Sequence, residues 1–309
     1  MQKLKFTYNL NRRAYDLCFD EPTKQEIASL VSIVGEVEEE NTIETLKRNI
    51  RDVDGCITGW GSIKLTKEIL DEAPNLKVIL HSAGTVKPYV SDEVWNRGIR
   101  VTTAANANAI PVAEFNLGLI LMTLKHVFAY QYEFRERGRE AWRRPPTIRG
   151  YYKSKIGIIG MGHVGNHLLK LLQPFDFDIL VYSRHFPEEQ AKALKANKVS
   201  LEELMCVCDV VALCAANVPR NRLIINREML SRMKDGAVFI NTSRGALVDE
   251  EALLDELRFG RITVCLDVFN QEPPLEIDFY SLPNCIITPH IAGSINEECK
   301  RLGHQILKE

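Results

Sequence analysis

At 309 residues the chain exceeds the usual size of one domain, so two domains on one polypeptide are expected. Hydrophobic residues at 45% and charged residues at 26% exclude a disordered chain. With 39 basic against 41 acidic residues the formal charge is -2, and no global field draws the protein to nucleic acid or anionic lipid. The first residues, "MQKLKFTYNLNRRAYD", lack the apolar core of a secretory leader, and no apolar run reaches the roughly 20 residues that span a bilayer. The eight cysteines lie mostly in apolar runs without CxxC spacing, so they read as buried thiols of a reducing, cytoplasmic setting and not as metal ligands.

In chain order, the stretches "KLKFTY", "LVSIVGEV", "GCITGW", "LKVILHSAG" and "IRVTT" predict strands, and "TIETLKRNIRD" and "TKEILDEAP" have helical spacing. Such alternation predicts a parallel sheet flanked by helices. A long segment from Ile110, "IPVAEFNLGLILMTLKHVFAYQYEFRERG", predicts a helix bridging two domains, with Pro111 suited to its first turn. "REAWRRPPTIRG" reads as a polar, proline-broken connection. A second alternating series follows: "KIGIIG", "DILVYSR", "DVVALCA", "GAVFINTS", "ITVCLDVF" and "CIITPH" predict strands, and "NHLLKLLQPF", "SLEELM", "INREMLSRM" and "EEALLDELRFG" predict helices. The closing "SINEECKRLGHQILKE" is helical in pattern up to the last residue, Glu309.

In "GIIGMGHVGNH", Gly160, Gly162 and Gly165 are spaced G-x-G-x-x-G between a predicted strand and a predicted helix. In a dinucleotide-binding unit the first glycine permits the turn, the second lets the backbone approach the pyrophosphate, and the third lets helix and strand pack closely. The helix N-terminus then offers amides and a favourable dipole to the phosphates. The next strand ends on Ser183 and Arg184, where an NAD-binding unit carries Asp or Glu for the ribose 2′-hydroxyl. A hydroxyl and a guanidinium accept a 2′-phosphate that a carboxylate would repel, so NADP(H) is favoured over NAD(H).

Three later segments, "FINTSRG", "CLDVFNQEPP" and "IITPHIAG", each carry a functional side chain where a strand should end: Arg244, Asp267 with Glu272, and His290. Together with residues 156–165, "MKDGAVFINTSRGALVDEEALLDEL" from Met233 and the earlier "ANANAIPVAEFNLGLIL", they resemble the D-isomer-specific 2-hydroxyacid dehydrogenase family over nearly the whole chain. The resemblance implies reversible hydride transfer between a nicotinamide cofactor and C2 of a 2-oxo or 2-hydroxy acid. It makes Arg244 the anchor of the substrate's carboxylate and carbonyl oxygen, His290 the general acid or base, and Glu272 its carboxylate partner. The physics agrees, because hydride arrival at a carbonyl carbon builds negative charge on oxygen that a cation stabilises and an imidazolium protonates. The cofactor surface implied is Gly160, Gly162, His163, Val164, Gly165, Ser183, Arg184, Cys214, Ala215, Thr242, Ser243, Asp267 (on the nicotinamide side) and Gly293. On the substrate side the resemblance places Ala83, Gly84 and Thr85, with Trp60 on the other wall. Val86 and Lys87 depart from it, since the family commonly has an aspartate two residues after the glycine equivalent to Gly84.

The expected fold is therefore α/β, with two Rossmann-like doubly wound parallel-sheet domains, one flavodoxin-like and one dinucleotide-binding, and a cleft between them. The substrate domain is discontinuous, residues 1–102 plus 287–309, and the dinucleotide domain covers 103–286. The resemblance further implies a homodimer, a small 2-oxo or 2-hydroxy acid as partner, and a longer C-terminus than the one that ends at Glu309. Two other readings share these residues: a nucleotide-sensing, corepressor-like binding module, and a phosphite-type dehydrogenase with a similar Arg, Glu and His set. A formate-dehydrogenase-like member is disfavoured, because that branch pairs its histidine with glutamine where this chain has Glu272.

Overall fold

The computed structural model describes residues 3–142 and 150–309, so most of the expected proline-broken connection lies outside the described residues. The chain divides into two compact units, Met1–Ala109 with Ser294–Glu309, and Ile110–Gly293. In the first unit five parallel strands, β1 (Lys5–Asn9), β2 (Ser32–Ile33), β3 (Gly55–Thr58), β4 (Val78–His81) and β5 (Arg100–Thr103), are ordered β2-β1-β3-β4-β5. This is the flavodoxin-like order, with its switch point between β1 and β3. β3 is buried at every position, as a strand covered on both faces must be.

The alternation of side chains along these strands feeds two cores. Phe6 and Ile57 join Phe19, Ile27, Leu302 and Ile306 on one face, while Cys56 and Ile79 join Leu46, Ile50, Leu65 and Leu70 on the other. The helices Arg12–Cys18 and Glu21–Leu30 bury few apolar positions, which is why hydrophobic spacing alone does not reveal them. Their caps do: Asn11 and Asp20 accept hydrogen bonds from the amides of Ala14 and Thr23.

In the second unit β6 (Lys155–Ile159), β7 (Asp178–Tyr182), β8 (Ala196–Lys198), β9 (Val210–Leu213), β10 (Val238–Asn241), β11 (Thr263–Leu266) and β12 (Cys285–Ile287) form one sheet. All its pairs are parallel, in the order β12-β11-β10-β9-β6-β7-β8. Read from its other edge this is the Rossmann order, extended by one strand, with its switch point between β6 and β9. β8 escaped the sequence reading because it has three residues and two of them are exposed.

The units meet in sequence inside one helix, Ala105–Leu124, and not at Thr103. Ala104 and Ala107 belong to the first core, and the Ala107 amide donates to the Gln305 side chain, which keeps the helix's first turn with the first unit. The helix begins five residues before Ile110, so Pro111 sits in its interior and not in its first turn; it ends at Leu124, and His126, with a left-handed φ of 54°, separates it from the helix Val127–Arg137. The single long bridging helix is thus two. Ala105–Leu124 is also long and apolar enough to cross a membrane by length and composition, contrary to the expectation above. Its Ala113, Leu119, Ile120 and Leu124 nevertheless pack in the core of the second unit, and Asn116 bonds to Thr242.

The last helix, Lys300–Lys308, returns to the first unit. A Cβ on Gly303 would lie 2.0 Å from the Cys18 carbonyl oxygen, so only glycine lets this helix seat against Arg12–Cys18. Gly303→Ala should therefore lower stability by about 1–3 kcal/mol, the usual range for overpacking, as read by the denaturant midpoint. An unchanged midpoint would show that the two helices are free to separate.

Candidate active site

The three glycines divide their work as the sequence pattern requires. Gly160, with φ of 97°, leaves β6 so close to the end of β9 that a Cβ would stand 2.5 Å from Ala215 Cα. Gly165 packs its helix onto the turn, where a Cβ would stand 2.1 Å from the Gly160 carbonyl oxygen. At Gly162 a Cβ would meet nothing within 4 Å, so the protein leaves that side open. Gly162 also caps the helix His163–Leu172 without a side-chain hydrogen bond to its first amides. An open backbone, free helix-start amides and no acidic residue in the first turn fit a pyrophosphate.

Beside this turn, half-buried Ser183 and exposed Arg184 follow β7, and Arg184 has no ion-pair partner among the described residues. Cys214 and Ala215 follow β9, nearly buried.

The remaining site residues stand at the carboxyl ends of three adjacent strands, β10, β11 and β12. After β10, the buried Asn241 accepts the Ser243 amide at 3.0 Å and donates to the Arg244 carbonyl at 3.1 Å. This Asx turn fixes the backbone around Arg244. Thr242 is held by Asn116 at 2.8 Å, and the Ser243 hydroxyl donates to the Leu213 carbonyl at 2.8 Å. The Arg244 guanidinium donates to the Ser243 carbonyl at 2.6 Å, and no carboxylate pairs with it among the described residues.

Gly245 has an ordinary φ, so it is not needed for the turn itself. A Cβ there would stand 2.1 Å from both the Asn270 nitrogen and the Phe269 carbonyl carbon, and this close approach is what demands glycine. The segment it touches carries Glu272. Glu250, in the first turn of the helix Glu250–Arg258, reaches the same segment, accepting the Asn270 amide at 2.6 Å.

Glu272 accepts the Phe269 amide with Oε1 at 3.1 Å and meets His290 Nδ1 with Oε2 at 2.7 Å. With Nδ1 engaged by a carboxylate, Nε2 is the free end of the imidazole, and it has no protein partner among the described residues. Asp267 is 2% exposed and holds the loop that carries His290. Its Oδ1 accepts the Thr288 hydroxyl at 2.6 Å and the Ile291 amide at 2.8 Å, and its Oδ2 accepts the Ala292 amide at 2.9 Å. Sequence reasoning gave Asp267 to the nicotinamide and did not foresee this anchoring. It also missed Asn241, although an Asn two residues before Ser243 carries the Asx signal; Thr288 and Glu250 act across loops and leave no local trace.

In the first unit, Ala83 is buried, and Gly84, Thr85 and Trp60 are half-buried, at the carboxyl ends of β4 and β3. Ser82 ties the two ends together, since its amide and hydroxyl both donate to the Thr58 carbonyl, at 2.7 and 2.9 Å. Lys87 is exposed. No group of His, Cys, Asp and Glu among the described residues could hold a metal ion.

A Rossmann sheet with a glycine cradle at its switch point and a carboxylate–imidazole pair after β11 and β12 defines a dinucleotide-binding oxidoreductase scaffold. The family description "D-isomer specific 2-hydroxyacid dehydrogenase, NAD binding domain" matches residues 117–292. The chain is 32% identical over 92% of its length to the D-3-phosphoglycerate dehydrogenase of Methanocaldococcus jannaschii, of which it spans about half, 54%. It is 30% identical over 96% of its length to the hydroxypyruvate reductase of Thermotoga maritima, covering 97% of that protein. The crystal structure of a phosphoglycerate oxidoreductase from Rhizobium etli superposes with a TM-score of 0.81 at 28% identity, covering 99% of this chain and 92% of that one. The chain belongs to the D-isomer-specific 2-hydroxyacid dehydrogenase family, NAD-dependent oxidoreductases acting on 2-hydroxy acids.

Gly245→Ala should displace the Phe269–Asn270 backbone and lower stability by about 1–3 kcal/mol. Differential scanning calorimetry checks this; an unmoved Tm would mean that the Arg244 and Glu272 segments do not depend on their close contact.

Proposed function

We propose that the protein is an NADP(H)-preferring reductase of small 2-oxo acids that forms the D-2-hydroxy acid. The observation that carries this reading is the 2.7 Å contact between Glu272 Oε2 and His290 Nδ1, which leaves Nε2 free for a substrate oxygen. When bound, the reduced nicotinamide supplies the hydride. Arg244 binds the substrate's carboxylate and carbonyl oxygen through its planar fork, a task that a point charge performs less well. His290 Nε2 donates its proton to the carbonyl oxygen as negative charge develops there, and Glu272 holds the imidazolium that makes this possible. In the reverse direction the same nitrogen accepts the hydroxyl proton.

The unit Ile110–Gly293 holds the dinucleotide in this reading. His163, Val164, Cys214, Ala215, Thr242, Ser243 and Gly293 serve as backbone and side-chain contacts, and Asp267 aims the His290 loop. In the other unit, the backbone of Ala83, Gly84 and Thr85 takes the substrate's carboxylate, and Trp60 screens its side chain. Ser183 and Arg184 accept the 2′-phosphate. The eight free thiols suit a reducing cytoplasm, and exposed Met122, Val127 and Tyr132 on the two consecutive helices support a homodimer.

The test is turnover of NADPH with glyoxylate, hydroxypyruvate, pyruvate and 3-phosphohydroxypyruvate. At least one should accelerate NADPH oxidation; tight NADPH binding with no acceleration would favour the binding-module reading instead. His290→Ala should cut turnover about 100-fold or more while dinucleotide binding, followed by fluorescence, stays intact. Retention of most activity would remove His290 from the mechanism. Ser183→Asp should move the preference from NADPH towards NADH, and an unchanged ratio of the two kcat/KM values would defeat the 2′-phosphate argument.

A further inference from the structure

Beneath the turn of residues 82–85 lies a titratable group that the chemistry above does not use. His81 closes β4 with its side chain wholly buried, and the register sets it between Thr58 at the end of β3 and Thr103 at the end of β5. Its Nδ1 lies 2.9 Å from the Thr58 hydroxyl, and its ring lies 5.3 Å from that of Tyr89. Burial pushes the imidazole down to about 4, so it is neutral at physiological pH. Thr58 also receives both donors of Ser82, so the end of β3, His81 and the start of the turn form one buried polar block.

The other ring nitrogen is the unusual one. When the Thr58 hydroxyl donates to Nδ1, the hydrogen resides on Nε2, and Nε2 is buried without a hydrogen-bond partner among the described residues. The neighbouring backbone that favours a proton on the ring is that of Thr85, within the turn itself. Orphaned buried donors are rare in folded proteins, and one placed under a functional turn calls for a partner.

We propose that His81 is the positioning residue of this turn, a neutral imidazole that locks residues 82–85 to Thr58 and keeps the amides of Ala83, Gly84 and Thr85 aimed at the carboxylate of the 2-oxo acid. The proposal rests on the reading that those amides take the carboxylate. The Thr85 backbone, which already favours a proton on the ring, is the acceptor within the turn for the Nε2–H.

Two variants remove the contact from opposite sides: His81→Phe keeps a ring without hydrogen bonds, and Thr58→Val keeps the β-branched shape without the hydroxyl. In each, the KM for the 2-oxo acid and the Kd for oxamate, an unreactive isostere of pyruvate, should rise about tenfold, the effect of one buried hydrogen bond. The kcat and the KM for the dinucleotide should stay within about threefold of wild type, and His81→Asn, which restores a partner for Thr58, should recover part of the loss. A merely structural histidine would instead lower the Tm and shift all kinetic constants together, and that result overturns the proposal. Intact turnover with unmoved KM and Kd in both variants overturns it alone. A wild-type protein that neither reduces a 2-oxo acid nor binds oxamate overturns the functional reading, and the role of His81 with it.

Discussion

The three hydrogen bonds that buried Asp267 accepts from Thr288, Ile291 and Ala292 are the interaction on which the site depends. The Glu272–His290 pair is the more conspicuous feature, but it cannot hold itself in place. Its side chains are 39% and 45% exposed, and ion pairs in such surroundings contribute about 0–1 kcal/mol. His290 also sits at a φ of 55°, a left-handed conformation that costs a non-glycine residue about 1–3 kcal/mol. Hydrogen bonds to a buried carboxylate are worth about 1.5–3 kcal/mol each, enough to offset that strain. The loop therefore sets the pair, and the pair then sets which imidazole nitrogen is free.

A second layer of constraint is steric. Gly160 and Gly245 each bring backbone within about van der Waals contact of the segment after a neighbouring strand, and Gly165 does the same within its own loop, where a single added carbon would collide. These contacts join the loops after β6 and β9, and those after β10 and β11, into one rim along the carboxyl edge of the sheet. Gly162 differs, because among the described residues nothing lies within 4 Å of where its Cβ would stand. The same rim thus contains glycines that protein atoms require and one whose Cβ side is open. Arg244 belongs to this rim as a cation without a carboxylate partner among the described residues, its backbone clamped by Asn241 and its own segment packed against the one that bears Glu272.

Much of this was legible in the sequence. The second sheet announced itself through continuous apolar strands ending in Gly160, Arg244, Glu272 and His290, because a parallel strand buried on both faces leaves a run that is hard to mistake. The first unit was harder, since Arg12–Cys18 and Glu21–Leu30 are polar on most sides and declare themselves through Asn11 and Asp20. The start of Ala105–Leu124 was misjudged because Pro111 resembles a helix-opening residue, while nothing local shows that packing against the first core extends the helix backward. Asp267 was recognised as functional, on the nicotinamide side, but its bonds to residues 21–25 positions away have no local signature. The neutral, buried state of His81 was equally invisible, because it follows from tertiary burial and not from neighbours in sequence.

The central claim is that the chain moves a hydride to C2 of a 2-oxo acid and a proton from His290 to its oxygen. The most direct measurement supplies NADPH doubly deuterated at C4 together with hydroxypyruvate and follows the product by mass spectrometry and chiral chromatography. The account predicts one deuterium at C2 of D-glycerate. Unlabelled glycerate, or a racemic product, would contradict it.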